Sequence, residues 1–355
     1  MGDIRPSFRR AAKVLLCVSA LTGGACLAWL TRPAPASATG QFPLPMPAAE
    51  SMPALARTGP APVIALDPEP DPEAAAAEAL EPPTGTFAET LRDGMVITGA
   101  TPHRLVLFTF DDGPDRRNTP RLLDTLDEYG IRAVFFLTTH RIEGESPWQL
   151  ENREIAREIA RRGHIVANHT AEHAQLPLLE SDEVIDQVRR ADETLERVLG
   201  SRAWLFRPPG GARSPRVDRL LASRGYTQML WNIGTGDFQV RDSDAVLRTF
   251  TRVLARRERD HGERGGIVLL HDTHAWSVEA VPRIVSYLRD QNCELLESGD
   301  ELYDIVGDPR LFHAPRGEDA SAEAPAARPE DEVLARRQRR LREQTRQRCD
   351  RVASR

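Results

Sequence analysis

Between about residue 87 and residue 310, short apolar runs alternate with stretches of helical period, and no other feature restricts the fold as much. Leu105–Phe110, Ala133–Leu137, His164–Ala167, Trp204–Phe206, Gln228–Trp231 and Gly266–Leu270 read as strands. Their short, near-continuous apolar character suits a sheet covered on both faces. Helical spacing recurs at Leu122, Leu123 and Leu126, then at Ile155, Ile159 and Ala160, then from Val184 to Leu199. Further helices are expected near 215–224, 243–257 and 278–290. Asn118-Thr119-Pro120 opens the first helix, with a capping residue and an early proline. Repeated βα units imply a parallel sheet, either closed as a barrel or doubly wound. A span of about 220 residues makes one such domain.

The flanks read differently. Arg5, Arg9, Arg10 and Lys13 precede an uncharged run, Val14 to Leu30, and Ala36-Ser37-Ala38 follows. That order makes residues 1–38 a cleaved secretory signal or an uncleaved anchor, a membrane tether through 14–30. Either one exports the chain to a periplasmic or extracellular place. Residues 39–86 are rich in Pro and Ala and carry an acidic run, Asp67 to Glu81, with no base in it. Such a stretch cannot bury enough apolar surface to order itself and reads as a linker. Residues 311–355 end in nine arginines after position 335, against only Glu343 and Asp350 after Glu332. Val333, Leu334 and Leu341 give too weak a stripe for a core helix. The segment is expected to be a solvated helical or disordered tail, or else a patch for an anionic polymer or membrane. The net charge of −6 argues against a general nucleic-acid binder. Beyond residue 38 the cysteines are Cys293 and Cys349, which either pair or remain free thiols.

Chemistry collects where the predicted strands end. Asp111 and Asp112 stand side by side after Thr109-Phe110, and Gly113-Pro114 follows. Adjacent carboxylates at a buried strand end are costly unless a positive group lies between them, which points to a metal. His169 and His173 come after another strand, at a spacing that puts both on one face of a helical turn. With Asp112 they give a His-His-Asp set that leaves coordination positions open, as a catalytic zinc site requires. Arg207-Pro208-Pro209-Gly210-Gly211 is a stiff loop whose glycines admit close approach to the main chain. His271 leaves the strand ending at Leu270 and is placed for acid–base work. Asp237, behind the Gly234-Thr235-Gly236 turn, can orient His271 and hold it protonated.

On these motifs the chain resembles the polysaccharide deacetylase (NodB-homology) family, carbohydrate esterase family four. The Thr-Phe-Asp-Asp-Gly-Pro block, the His-Thr-x-x-His pair, the Arg-Pro-Pro-x-Gly loop and the Leu-x-His end match in order and spacing over roughly residues 100–305. The resemblance implies a distorted (β/α) barrel with fewer than eight full units and says nothing of the N- and C-terminal extensions, whose composition reads as disordered. It implies that Asp112, His169 and His173 hold a divalent metal, commonly Zn2+. Asp111 would be the general base, braced by Arg207. The Gly210 N–H would help stabilise the oxyanion. His271 would be the general acid, oriented by Asp237. Leu269, Phe238 and Trp231 would line the substrate groove. The implied reaction is hydrolysis of N-acetyl groups from N-acetylglucosamine units of peptidoglycan or a chitin-like polymer. A non-catalytic glycan-binding protein and an O-acetyl esterase are the alternatives. The chain departs from the family at Gly210, where Tyr is frequent, at Gly234, where Asp is frequent, and at Phe238, where Trp is frequent.

Overall fold

The structure, a computed structural model, describes residues 96–312 and 329–353. The segments assigned to the signal or anchor and to the linker lie outside the described residues.

Nine strands form one sheet: β1 (Val96–Ile97), β2 (Leu105–Asp111), β3 (Val134–Leu137), β4 (Ile165–Asn168), β5 (Leu205–Phe206), β6 (Thr227–Met229), β7 (Ile233–Gly234), β8 (Gly266–His271) and β9 (Asp304–Ile305). Their order is β1-β6-β5-β4-β3-β2-β8-β7, with β9 paired beside β2, and every pairing is parallel. Among the described residues β1 and β7 share no ladder, so the barrel is curled but open, in keeping with the distorted barrel expected. The helices are α1 (Thr119–Glu128), α2 (Pro147–Arg161), α3 (Ser181–Leu199), α4 (Pro215–Ser223), α5 (Ser243–His261), α6 (Ala275–Ser298) and α7 (Pro329–Ala353). Strands β1, β7 and β9 are two residues each and give no periodic signal in the sequence. Trp231, expected to close a strand, lies beyond β6.

Side chains alternate across a strand, and this parity assigns every position to a side. Val106, Phe108 and Phe110 of β2 pack in the large cluster that includes Leu122 and Leu126 of α1, and Val281 and Ile284 of α6. Leu105 and Leu107 pack on the opposite side with Val134, Phe136, Ala167, Leu205 and Ile267. The two clusters are the helix-covered face and the barrel interior. Phe108, Phe110, Phe135 and Phe136 are wholly buried. Burying each stabilises the fold by about 1.5–3 kcal/mol. The interior set continues past the strand ends: Leu105, Leu107, Thr109 and Asp111 share one side, as do Leu205 and Arg207, Ile165, Ala167 and His169, and Ile267, Leu269 and His271. Register brings these ends level, with Asp111 beside His271 and Leu137 beside Asn168.

Two local expectations are corrected. Asn118 occupies the cap position of α1, but its side chain makes no capping bond. The Asp115 carboxylate accepts the Arg117 and Asn118 N–H groups instead, and the Asn118 amide donates to the Thr273 carbonyl at 3.1 Å. At the far end, residues 329–353 take the helical and not the disordered form expected of the tail, but docked rather than simply solvated. They form α7, tied to α6 by the Cys293–Cys349 disulfide. Arg337 grips Asp304 at 2.7 and 3.0 Å, Gln338 exchanges two hydrogen bonds with Leu302, and Arg342 donates to the Asp300 carbonyl at 2.5 Å. Leu334 packs against the interior cluster. An apolar stripe is the signal for core helices, whereas α7 docks mainly through polar bonds and one covalent link.

Candidate active site

Asp111 ends β2 and is 3% exposed. The wholly buried Arg207 reaches it from beyond β5, with Nη1 donating to Asp111 at 2.6 Å and to Thr109 at 2.8 Å. Arg207 also donates to the Met229 and Leu230 carbonyls, and its guanidinium lies 4.0 Å over the Phe136 ring. These bonds fix the guanidinium, so it holds Asp111 in one orientation. Burial raises the Asp111 carboxyl above its ordinary range, and the positive charges of Arg207 and His271 work against that rise. A carboxylate raised in this way is a better proton acceptor than an exposed one.

Asp112, His169 and His173 come together. Each offers one ligand atom, and these atoms all lie within 4.8 Å of one another. One Asp112 oxygen stands 3.5 Å from His169 Nε2 and 3.3 Å from His173 Nε2. Ligands at about 2.0–2.2 Å from a tetrahedral ion stand roughly 3.3–3.5 Å apart. The same Asp112 oxygen is buried and has no hydrogen-bond donor. Buried polar atoms are nearly always satisfied, and between two imidazole nitrogens a cation is the partner that suits this one. His169 Nδ1 donates to the Arg207 carbonyl at 2.6 Å, which leaves Nε2 as the ligating atom. Burial lowers the His169 pKa to about 3, so the ring is neutral, as a ligand must be. The donor set therefore suits a divalent metal.

The reason expected for this spacing does not hold, although the two rings do meet, with centroids 5.0 Å apart. Residues 169–173 are a loop, not a helical turn. Asp112, Thr170 and His173 are the three described non-glycine residues with positive φ, at 72°, 71° and 57°. Such conformations cost about 1–3 kcal/mol each and persist where surroundings enforce them. All three lie in the two loops that form this site. The Asn168 carboxamide accepts the Thr170 N–H at 2.7 Å and donates to Tyr226, Asp192 and the Val188 carbonyl. By strand parity Asn168 points outward to α3 while His169 points inward.

His271 ends β8, and its Nδ1 donates to Asp237 at 2.9 Å. Asp237 is wholly buried and also accepts from the His271 main chain at 2.7 Å and Ser277 Oγ at 2.6 Å. Burial works to raise Asp237, but the bonds from His271 and Ser277 outweigh it and leave the carboxyl below its ordinary range. Burial likewise opposes charge on His271. The hydrogen bond and charge of Asp237, aided by Asp111 and Asp112, outweigh it and raise His271 to about 9. The ring is thus a cation at neutral pH, with Nε2 3.9 Å from Asp112. It can therefore donate a proton from Nε2 beside Asp112.

Leu269 is 6% exposed and paired with Gly234, while Phe238 is 60% exposed and meets the His271 ring edge-on at 6.0 Å. Trp231 lies 5.5 Å from the Arg207 guanidinium and within 3 Å of where a Cβ on Gly211 would stand. Gly211 has φ 68°, so both conformation and space exclude a side chain there. Gly210 is exposed with φ 62°, and the Gln175 amide lies 3.3 Å from where its Cβ would stand. Thr109, Asn168, Gln187 and Ser277 were not singled out from the sequence. Strand parity would have found Thr109, two residues before Asp111. The others lie on outward positions or distant helices, where only contact reveals them.

Residues 98–229 match the polysaccharide deacetylase family model. A peptidoglycan-N-acetylglucosamine deacetylase of Bacillus cereus is 29% identical over 195 residues, covering 54% of this chain and 66% of that protein. A peptidoglycan-N-acetylmuramic acid deacetylase of Bacillus subtilis is 23% identical over 207 residues, covering 58% of this chain and 74% of that protein. A solved family 4 carbohydrate esterase from Streptomyces lividans, in complex with acetate, is 27% identical, with a TM-score of 0.45 over 53% of this chain and 88% of that one. This chain thus spans just under two thirds of the first of these relatives. Residues 98–229 carry the polysaccharide deacetylase match, and the Asp112–His169–His173 cluster, the Arg207–Asp111 pair and the His271–Asp237 pair stand at the strand ends in the order of the motifs by which the chain resembles that family.

Proposed function

We propose that the chain is a metal-dependent hydrolase that removes N-acetyl groups from N-acetylglucosamine units of an extracytoplasmic polysaccharide and releases acetate. Peptidoglycan is the first substrate to test and a chitin-like polymer the second. The observation that carries this reading is the orphaned Asp112 oxygen between two imidazoles, with a braced carboxylate on one side and a charged histidine on the other. Relatives named for peptidoglycan N-acetylglucosamine and N-acetylmuramic acid support the substrate class. Such a polymer lies outside the cytoplasm, in agreement with an export signal in residues 1–38. Among the described residues no helix is long and apolar enough to cross a membrane, and the tether proposed for 14–30 falls outside them.

Asp112, His169 and His173 would hold the metal, for which zinc is the first choice given two imidazoles and one carboxylate. A divalent cation there supplies Lewis acidity and makes water more acidic. Asp111 accepts a proton from the attacking water, whose oxygen bonds to the acetamide carbon. Arg207 keeps the Asp111 carboxylate aimed at that water. The Gly210 N–H donates to the oxyanion as charge develops. The carbon–nitrogen bond then breaks, and His271 delivers its proton to the departing amine. Asp237 fixes the His271 tautomer and keeps it charged until that moment. Leu269 limits the acyl pocket to a small group, and Phe238 and Trp231 offer apolar faces to the sugar.

The test is acetate release by the full chain, supplied with zinc, from chitin oligomers and from purified peptidoglycan in parallel. The expected result is release that His169→Ala abolishes. A zinc-loaded protein that releases nothing from either polymer would overturn the substrate assignment. A protein that neither binds zinc nor releases acetate would overturn the catalytic reading.

A further inference from the structure

The loop that carries both imidazoles holds them in different ways. His169 is buried, and its second ring nitrogen bonds the Arg207 carbonyl. His173 is 40% exposed. Among the described contacts its ring meets Asp112 and the ring of His169, and it donates to no other oxygen. A metal-ligating histidine ordinarily gives its second N–H to an outer partner that sets the direction of the ring. Among the described residues no protein group takes that role for His173, so on the protein side its direction is set by the main chain. That main chain is left-handed at His173, with φ 57°, a conformation that needs external support.

The support comes from Gln187 on α3. Its Oε1 accepts the Glu172 N–H, one residue before His173, at 3.0 Å. Its Nε2 donates to the Glu172 carboxylate at 3.3 Å, and its own carbonyl accepts the Ala171 N–H at 3.2 Å. Gln187 is 8% exposed. One turn along α3, Arg190 pairs with Glu172 at 2.8 Å and with Glu143 at 2.9 Å, which closes the loop from outside. Two consecutive N–H groups of the loop are therefore spent on a single α3 residue.

We propose that Gln187 is a positioning residue of the metal site. By fixing the main chain at Glu172 it aims the His173 imidazole, to which no described protein group outside the site gives a ring hydrogen bond. The inference rests on the metal-binding reading of Asp112, His169 and His173 given above. Its consequence is specific: the side chain of Gln187 matters to the metal only while His173 is a ligand. A residue that merely stabilised the fold would show no such dependence.

The experiment measures the Zn2+ affinity of the full chain by competition with a chromophoric chelator. Four proteins are compared: wild type, Gln187→Met, His173→Ala and the double variant. Methionine keeps the length and burial of glutamine and removes its hydrogen bonds. Gln187→Ala takes its place if that variant does not fold. Gln187→Met is expected to weaken zinc binding by about 10-fold or more, the usual loss for an outer-shell partner. In the His173→Ala background the same substitution is expected to change nothing further. Wild-type affinity in a folded Gln187→Met protein would overturn the proposal, and so would equal losses with and without His173. Unchanged zinc affinity in His173→Ala would instead overturn the metal-site reading itself.

Discussion

The sheet has two polar ends, and they differ in how their charges are paired. At the start of β2, Asp304 is gripped by Arg337, Arg264 bonds Asp300, and Arg104 meets Glu258 at 2.8 Å and Asp300 at 3.3 Å. There each charge has an opposite partner. At the end of β2, Asp111 and Asp112 stand together, and one buried oxygen of Asp112 has no donor. The pairing at the first end holds α7 and β9 in place. The missing partner at the second end is what a bound cation would supply. Arg104 Nε at the first end also lacks an acceptor, so an unpartnered buried atom alone says little; at the second end it is a carboxylate oxygen standing between two imidazoles, which is the arrangement a cation suits.

The largest effect expected at the unpaired end follows from removing the metal. Chelation, or His169→Ala, is expected to abolish acetate release, and added zinc restores it only in the chelated wild type. A metal-independent rate would erase the contrast between the two ends. Next is His271→Ala, which should retain zinc and lose turnover by a factor of about 10² or more. Zinc content and kcat on the same sample separate this loss from metal loss. The paired end should respond in stability rather than rate. Cys349→Ser opens a link across a sequence separation of 56 residues. It is expected to lower unfolding stability by about 2–4 kcal/mol while kcat stays near wild type. Denaturant unfolding beside an activity assay reads both.

Smaller shifts sharpen the comparison. His271 is held at about 9, above its ordinary value, so its proton is present below that pH and lost as pH rises through it. Turnover should therefore decline on the alkaline side near pH 9. In Asp237→Asn the largest of the raising partners is gone, and the decline should move to lower pH in the pH–rate profile. The smallest effect is expected from Gln338→Ala, which removes two bonds to the Leu302 main chain. Its cost should be about 1–2 kcal/mol of stability, read by thermal unfolding, with no change in rate.

Much of this was legible in the residues. The long strands and the helices from α1 to α6 show as apolar runs and helical stripes, because burial selects those patterns directly. Asp111, Asp112, His169, Arg207 and His271 show because each follows or ends a strand signal, and Asp237 because it stands behind a glycine turn. The helical turn expected at His169 and His173 did not hold, since spacing alone cannot tell a helix from a loop with left-handed residues. A helix was one of two forms expected for residues 329–353, but the docking of α7 escaped because polar contacts leave no stripe. Gln187 escaped because a glutamine on a helix carries no sign that its carboxamide reaches a loop main chain.

The amino-acid sequence by itself determined the alternation of strand and helix, the inward and outward parity of each strand, and the residue types gathered at the strand ends. Those properties are local: they depend on period, chirality and the cost of burying charge. The tertiary structure alone decided that Cys293 meets Cys349, that α7 packs on α6, that an oxygen of Asp112 is left without a donor, and that Gln187 clamps Glu172. Each of these joins residues brought together by the fold rather than by a repeating local pattern, and such pairings depend on how whole elements pack.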